Sequence, residues 1–175
     1  MTDLILLAML LPGPKHGYQL KREAGLILGQ QTLHNNLVYP LLRQFMSKKW
    51  VRQKTVPGER GQTRNQYSLT ALGRKELHTR LCRFSEKDAR SAEGFSLRVG
   101  MFQFLEPEVR LQIINAREKF LQGRIANLKN VQTNFPLDPY AGVVTSYMRD
   151  QAETELNWIA RLRRLQKSRK DESRE

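Results

Sequence analysis

The stretch Asn35-Asn36-Leu37-Val38-Tyr39-Pro40-Leu41-Leu42-Arg43-Gln44-Phe45-Met46-Ser47-Lys48-Lys49 has two faces. Val38, Leu41, Leu42 and Phe45 stand at i, i+3, i+4 and i+7, the spacing that lines one stripe of an α-helix. Asn36, Pro40, Arg43 and Ser47 fall opposite, with Tyr39 at the boundary. A proline in a helix interior forfeits a hydrogen bond and clashes one turn back. The pattern therefore predicts that Asn35 or Asn36 caps the helix, so that Pro40 lies in its first turn.

What flanks this helix gives it a context. Upstream, Thr2 or Asp3 can cap a first helix built on the apolar run Leu4–Leu11, and Pro12-Gly13-Pro14 ends it. A second helix starts at Lys15–Gly17 and carries Leu20, Ala24, Ile27 and Leu28 at helical spacing, before the turn Gln30-Gln31-Thr32. Downstream, residues 50–56 and 65–69 are short β-branched and aromatic runs of strand type. A flexible, net-basic loop, 57–64, joins them, and Thr70 caps a further helix with Leu77 and Leu81 on its apolar side. Three helices, a two-stranded hairpin and a helix are the order of a winged helix.

The second half reads as helical. Glu106-Pro107-Glu108 opens a helix with Leu111, Ile114, Leu121, Ile125 and Leu128 in 3/4 spacing. Asp138-Pro139 opens another, running through Val144, Met148, Ala152, Leu156, Ile159 and Leu162. Two long amphipathic helices cannot bury wide faces alone, so partner helices are implied, and Met148, Leu156, Ile159 and Leu162 are the expected dimerisation residues. The expected fold class is mainly α with a small β-hairpin wing: a winged helix-turn-helix followed by a helical dimerisation arm. Its divisions are a DNA-binding domain at 1–83, a polar hinge at 84–94, a helical dimerisation domain at 95–168 and a charged tail at 169–175.

Charge points to a polyanionic partner. Thirty Lys and Arg against 17 Asp and Glu give +13, and the excess is uneven. Residues 1–80 hold 13 basic and 4 acidic side chains, whereas 81–175 hold 17 and 13. The lone Cys82 can form neither an internal disulfide nor a multi-Cys zinc site, so a reducing, cytoplasmic setting is expected. The apolar run at Leu4–Leu11 lacks a basic n-region and a small-residue cleavage site, and is far short of a membrane span. His16, His34 and His78 have no metal-ligand spacing, and the i, i+4 pair His78 and Cys82 lacks a third, orienting group. No metal, no cofactor and no enzymatic activity are expected.

Three motifs in register resemble a known family. His16-Gly17-Tyr18-Gln19-Leu20, Val38-Tyr39-Pro40-Leu41-Leu42-Arg43 and Tyr67-Ser68-Leu69-Thr70-Ala71-Leu72-Gly73-Arg74 are similar to the signature of the PadR family of bacterial regulators. Phe95–Phe104, Pro107-Glu108 and Asn157-Trp158-Ile159 resemble that family's C-terminal helical domain. The resemblance implies a dimeric winged-helix regulator, usually a repressor, with a small aromatic or hydrophobic effector in some members. The chain departs from the pattern at Leu37, where a small or hydroxylated residue is usual, and at Lys49-Trp50, where glycine often precedes the first wing strand. The operator sequence therefore does not carry over.

The expected DNA-binding residues are Asn35, Asn36, Tyr39 and Arg43 on the recognition helix, with Lys48, Lys49, Arg60 and Arg64 beside and on the wing. Asparagine pairs with adenine edges, arginine with guanine, and tyrosine donates to phosphate. Wing cations neutralise backbone phosphates. Trp158 offers a flat surface for an effector, although a packed tryptophan is the plainer reading. The expected partners are double-stranded DNA, a second copy of the chain and a small-molecule effector, with no membrane. A protein-interaction adaptor and a non-specific nucleic-acid binder on the same scaffold are the alternatives.

Overall fold

A computed structural model describes residues 2–57 and 63–172, with side chains through residue 166. The chain divides into two units, Met1–Arg83 and Phe84–Glu175.

The first unit is built around α1 (Thr2–Ala8), whose Ile5, Leu6 and Leu7 are buried together with Leu10. After the Pro12-Gly13-Pro14 break the chain does not enter a helix at once. Lys15–His16 forms a two-residue strand, β1, before α2 (Gly17–Ile27) begins. α3 (Asn35–Ser47) follows, then β2 (Val51–Pro57), β3 (Thr63–Leu69) and α4 (Ala71–Cys82). The expected two-stranded hairpin is thus a three-stranded antiparallel sheet in the order β1-β3-β2. Lys15 faces Tyr67 across β1 and β3, and Arg52, Lys54 and Val56 of β2 face Ser68, Gln66 and Arg64 of β3. Helix, strand, helix-turn-helix and wing make this unit a winged helix.

Val38, Leu42 and Phe45 are buried as the stripe requires, and Leu41 sits half-buried at its edge. The start of α3 differs from expectation. His34 is the cap, and Pro40 is the sixth helical residue, in the second turn. Its missing N–H leaves the carbonyl of Asn36 without that intrahelical bond, on the exposed side of the helix.

Both helices of the helix-turn-helix stop in the same way. At the end of α2, Gln30 N–H donates to the carbonyl of Gly25 and Gly29 N–H to that of Leu26, with Gly29 at φ +70°. At the end of α3, Trp50 N–H donates to the Phe45 carbonyl at 2.9 Å and Lys49 N–H to that of Met46, with Lys49 at φ 58°. This is the Schellman stop, whose left-handed residue is usually glycine. Thr70 then seats α4: its hydroxyl accepts from Gly73 N–H at 3.0 Å and faces the carbonyls of Lys49 and Trp50 at 2.7 and 3.0 Å. A Cβ on Gly73 would stand 2.0 Å from the Trp50 carbonyl oxygen, so only glycine fits there.

The second unit contains α5 (Glu86–Arg90), α6 (Ala92–Gly100), a 3-10 turn at Phe102–Phe104, α7 (Pro107–Asn134) and α8 (Pro139–Glu172). Residues 84–94, expected as a hinge, are therefore mostly helical. Ser85 and Asp88 form a reciprocal capping box at the start of α5, and Ser91 caps α6 through Gly94 N–H. The segment 169–175, expected as a tail, begins as helix, since α8 extends to Glu172.

Side-chain bonds link α7 to α8. Arg117 meets Glu155 in a two-pronged ion pair at 2.7 and 2.6 Å and donates to the Ala89 carbonyl at 2.7 Å. Arg163 bonds Asn115 and Glu118, and Arg149 bonds Gln132. The expected α7 stripe shifts accordingly: Ile113, Ile114, Arg117 and Leu121 are buried, whereas Leu111 is exposed. An arginine stands on the buried line because a carboxylate and a carbonyl satisfy it.

Candidate nucleic-acid interface

The outward line of α3 begins at its N-terminus. Asn35 and Asn36, one residue apart, point in different directions. Asn35 turns toward α2, where its amide oxygen accepts from Lys21 Nζ at 2.7 Å. Asn36 is exposed, and Arg43 and Ser47 continue its line along the helix. Leu37, which the sequence offered only as a departure from a pattern, is 41% exposed beside Asn36.

Tyr39 is half-buried and turns inward. Its ring lies against Gly17, where a Cβ would stand 3.1 Å from both the ring edge and the hydroxyl. Tyr67 of β3 is buried next to it. Burial raises the Tyr67 hydroxyl above its ordinary pKa of 10.0, the neighbouring Tyr39 adds to this, and the Arg43 guanidinium opposes it. The recognition helix, the start of α2 and the central strand of the sheet are thereby packed through two tyrosines and a glycine. Tyr39 is positioned as a spacer as much as a contact, with its hydroxyl at the edge.

The sheet adds a cationic surface. Arg52 and Lys54 alternate along β2, opposite Ser68 and Gln66, and Arg64 follows on the same face of β3. Arg52 Nε donates to Ser68 Oγ at 2.9 Å, which fixes its direction, and Lys54 and Arg64 are exposed. His16, on the same sheet, caps α2 and lies 3.4 Å from the Asn65 carbonyl through Nδ1.

Lys48 and Lys49 differ from the picture of two equivalent basic residues. Lys48 Nζ stands 4.6 Å from the centre of the Trp50 ring, and Arg80 packs on the same ring at 4.7 Å. Lys49 is exposed and holds the left-handed stop described above. Arg60 lies outside the described residues. Asn36 and Arg43 thus share the outward line of α3, and Lys54 and Arg64 share one face of the sheet, whereas Asn35 turns along the surface to Lys21 and Tyr39 packs on Gly17.

In the second unit, Trp158 is 36% exposed and meets Phe95 edge-on, with ring centres 5.6 Å apart. It borders a cleft of about 530 Å³ with Leu121, Tyr147, Met148 and Arg117. Of the expected dimerisation residues, Ile159 is wholly buried within the chain, Leu156 and Leu162 are half-buried, and Met148 is exposed. Further exposed apolar residues of α8 are Tyr140, Val143, Val144 and Tyr147 in its first turns and Leu165 near its end. Val144 was on the expected stripe; Tyr140, Val143, Tyr147 and Leu165 fall off it, because that stripe, through Ala152 and Ile159, serves the packing of α8 inside the chain.

Among the described residues no cluster of His, Cys, Asp and Glu is arranged to hold a metal ion, and no helix is long and apolar enough to cross a membrane.

Residues 6–79 match the model of the transcriptional regulator PadR-like family. Among solved structures, the chain is similar to TA0346 from Thermoplasma acidophilum at 30% identity, over 43% of this chain and 72% of that one, with a TM-score of 0.41. It is also similar to Bacillus subtilis PadR in complex with operator DNA, at 17% identity over 94% and 98% of the two chains, TM-score 0.46. The same protein in complex with p-coumaric acid matches at 16% identity over the same shares, TM-score 0.42. No curated protein matches. Residues 6–79, which span α2, α3 and the wing, are thus a domain of the transcriptional regulator PadR-like family.

Proposed function

We propose that the chain is a homodimeric, DNA-binding transcriptional repressor of the cytoplasm, and that it has no enzymatic activity. The observation that carries the proposal is the exposed line Asn36, Arg43 and Ser47 on a helix anchored by its opposite face, in a unit whose wing presents the exposed cations Lys54 and Arg64 on one face. A recognition helix enters the major groove with its N-terminal residues at base edges, while a wing lies along the backbone. The first unit, 1–83, is the DNA-binding domain. Residues 95–168 supply dimerisation through the exposed apolar surface of α8, with Met148 on it and Leu156 and Leu162 at its margin. Two recognition helices held about 34 Å apart would address successive major grooves of a palindromic operator. That the chain represses rather than activates follows from the family resemblance.

The cleft beside Trp158 suits a flat hydrophobic or aromatic effector, with the exposed Arg124 on its wall to meet an acidic group. An effector there would release the operator by altering the separation of the two DNA-binding domains, so that both half-sites are lost together.

The test is enrichment of duplexes from a random-sequence pool by the full chain, followed by binding at two salt concentrations. Recovery of a palindrome, bound more tightly than unrelated duplex and by a dimer, is the expected result. Equal affinity for all duplexes, or a monomer at micromolar concentration on sizing, would overturn the proposal. Compounds carrying an aromatic ring and a carboxylate should quench tryptophan emission and weaken operator binding together.

A further inference from the structure

We infer that Asn36 and Leu37 read an adenine and the adjacent thymine in the major groove, and that Asn35 reads no base. This rests on the DNA-binding reading above and divides the labour at the start of its recognition helix.

The division begins with Lys21. An ammonium group has three donors and no acceptor, so the group of Asn35 that faces it at 2.7 Å must be the amide oxygen. The alternative amide orientation would set donor against donor. Recognition of adenine by asparagine needs both halves of the amide: the oxygen accepts from N6 and the nitrogen donates to N7. With its oxygen turned toward α2, Asn35 cannot offer the pair to one base edge. It holds the angle between α2 and α3 instead.

Asn36 has no such tie. It is exposed, and nothing among the described residues engages its amide, so both halves remain available. It stands on the outward line with Arg43, about 10 Å further along the helix.

Leu37 completes the argument. Leu37, 41% exposed beside that amide, gives the start of α3 an apolar surface next to its polar one. Among the groups a major groove offers, the thymine methyl is the apolar one. Consecutive Cα atoms are about 3.8 Å apart, close to the roughly 3.4 Å rise between base pairs. Neighbouring residues can therefore address neighbouring pairs.

The test uses the full chain and the duplex it enriches from a random pool. Each adenine in turn is replaced by 7-deazaadenine, which lacks the N7 acceptor, and each thymine by deoxyuridine, which lacks the methyl. Wild type should lose about tenfold at one adenine, the scale of a bidentate base contact. It should lose about fourfold at an adjacent thymine, the scale of one buried methyl group. Asn36→Ala should bind more weakly and become indifferent to the deaza substitution. Leu37→Ala should become indifferent to deoxyuridine, and Asn35→Ala should stay sensitive to both. The inference is overturned if Asn35→Ala abolishes the adenine effect, if Asn36→Ala retains it, or if no thymine beside that adenine responds. Failure to enrich any duplex would instead defeat the DNA-binding reading itself, and the inference with it. Circular dichroism of these surface variants should match wild type.

Discussion

The amide of Trp50 donates to the carbonyl of Phe45 at 2.9 Å, and the two rings meet with centres 6.0 Å apart. This pair closes the recognition helix, with the hydrogen bond and the hydrophobic contact of a Schellman stop in one place. Between them Lys49 occupies the left-handed region at φ 58°, at a steric cost of about 1 kcal/mol. Lys49→Gly removes that cost and is expected to stabilise the chain by about 1 kcal/mol in urea unfolding. Lys49→Ala keeps the strained backbone and should gain nothing. Equal midpoints for the two variants would contradict this account of the stop.

Two glycines should respond to alanine in opposite senses. At Gly73 the new methyl would meet backbone of Trp50 at 2.0 and 2.8 Å, and neither chain can retreat without breaking the Thr70 cap. Gly73→Ala should cost about 3 kcal/mol, at the upper end of overpacking effects. Gly123 is exposed within α7, and nothing lies within 4 Å of its missing Cβ. There alanine should stabilise by about 1 kcal/mol, because glycine in a helix interior costs that much in backbone entropy. Chemical unfolding of each variant reads both signs.

Acid sensitivity should have a source at Asp88. Burial favours its neutral form, but the backbone N–H and hydroxyl of Ser85 and the guanidinium of Arg98 outweigh burial and hold the carboxyl below its ordinary 3.8. A carboxyl with a lowered folded-state pKa contributes stability at neutral pH. That contribution falls away as pH drops toward 3.8 and is gone below the folded-state value. Asp88→Asn should be less stable than wild type at pH 7 and converge with it in acid. Parallel stability curves from pH 7 to pH 3 would show that the capping box carries no such linkage.

What could be read from the sequence follows the strength of local patterning. The two-faced pattern at Asn35–Lys49 was legible because Val38, Leu42 and Phe45 recur at helical spacing and are buried as a stripe. Strand β1 was not, since two residues have no periodicity and Lys15–His16 extends only through its pairing with Tyr67 and Gln66. The stretch at 84–94 looked like a linker by its polarity, yet Ser85 and Asp88 cap α5 and Ser91 caps α6. Polar residues at helix starts resemble polar residues in loops until their partners are known. The turns of Asn35 and Tyr39 toward α2 depend on Lys21 and Gly17, residues of another helix that no local pattern links to them.

Arg117 and Glu155 should behave as a unit. Their ion pair sits on the buried side of α7, with the Arg117 guanidinium also facing the rings of Phe95 and Phe120. Removing one partner leaves an uncompensated buried charge, so Glu155→Ala is expected to cost about 3 kcal/mol. An apolar pair such as Arg117→Met with Glu155→Leu should recover most of that loss, because desolvation of both ions disappears together. Additive losses in the double variant would mean that the arginine's bond to the Ala89 carbonyl matters more than the ion pair.

The wing and the recognition helix should separate in their salt dependence. Each phosphate neutralised by a cation releases counterions, and the slope of log affinity against log salt grows by about 0.9 per contact on duplex DNA. Arg64 is exposed on the same face of the sheet as Lys54, and that face is proposed to follow the backbone. Arg64→Gln should therefore weaken binding to operator and unrelated duplex by the same factor and flatten the slope by about one unit. Arg43, proposed to meet a base edge, should lose affinity for the operator preferentially, by about tenfold, when changed to alanine. If Arg43→Ala lowers operator and unrelated binding alike while Arg64→Gln narrows the difference between them, the two roles are exchanged, and specificity resides in the wing.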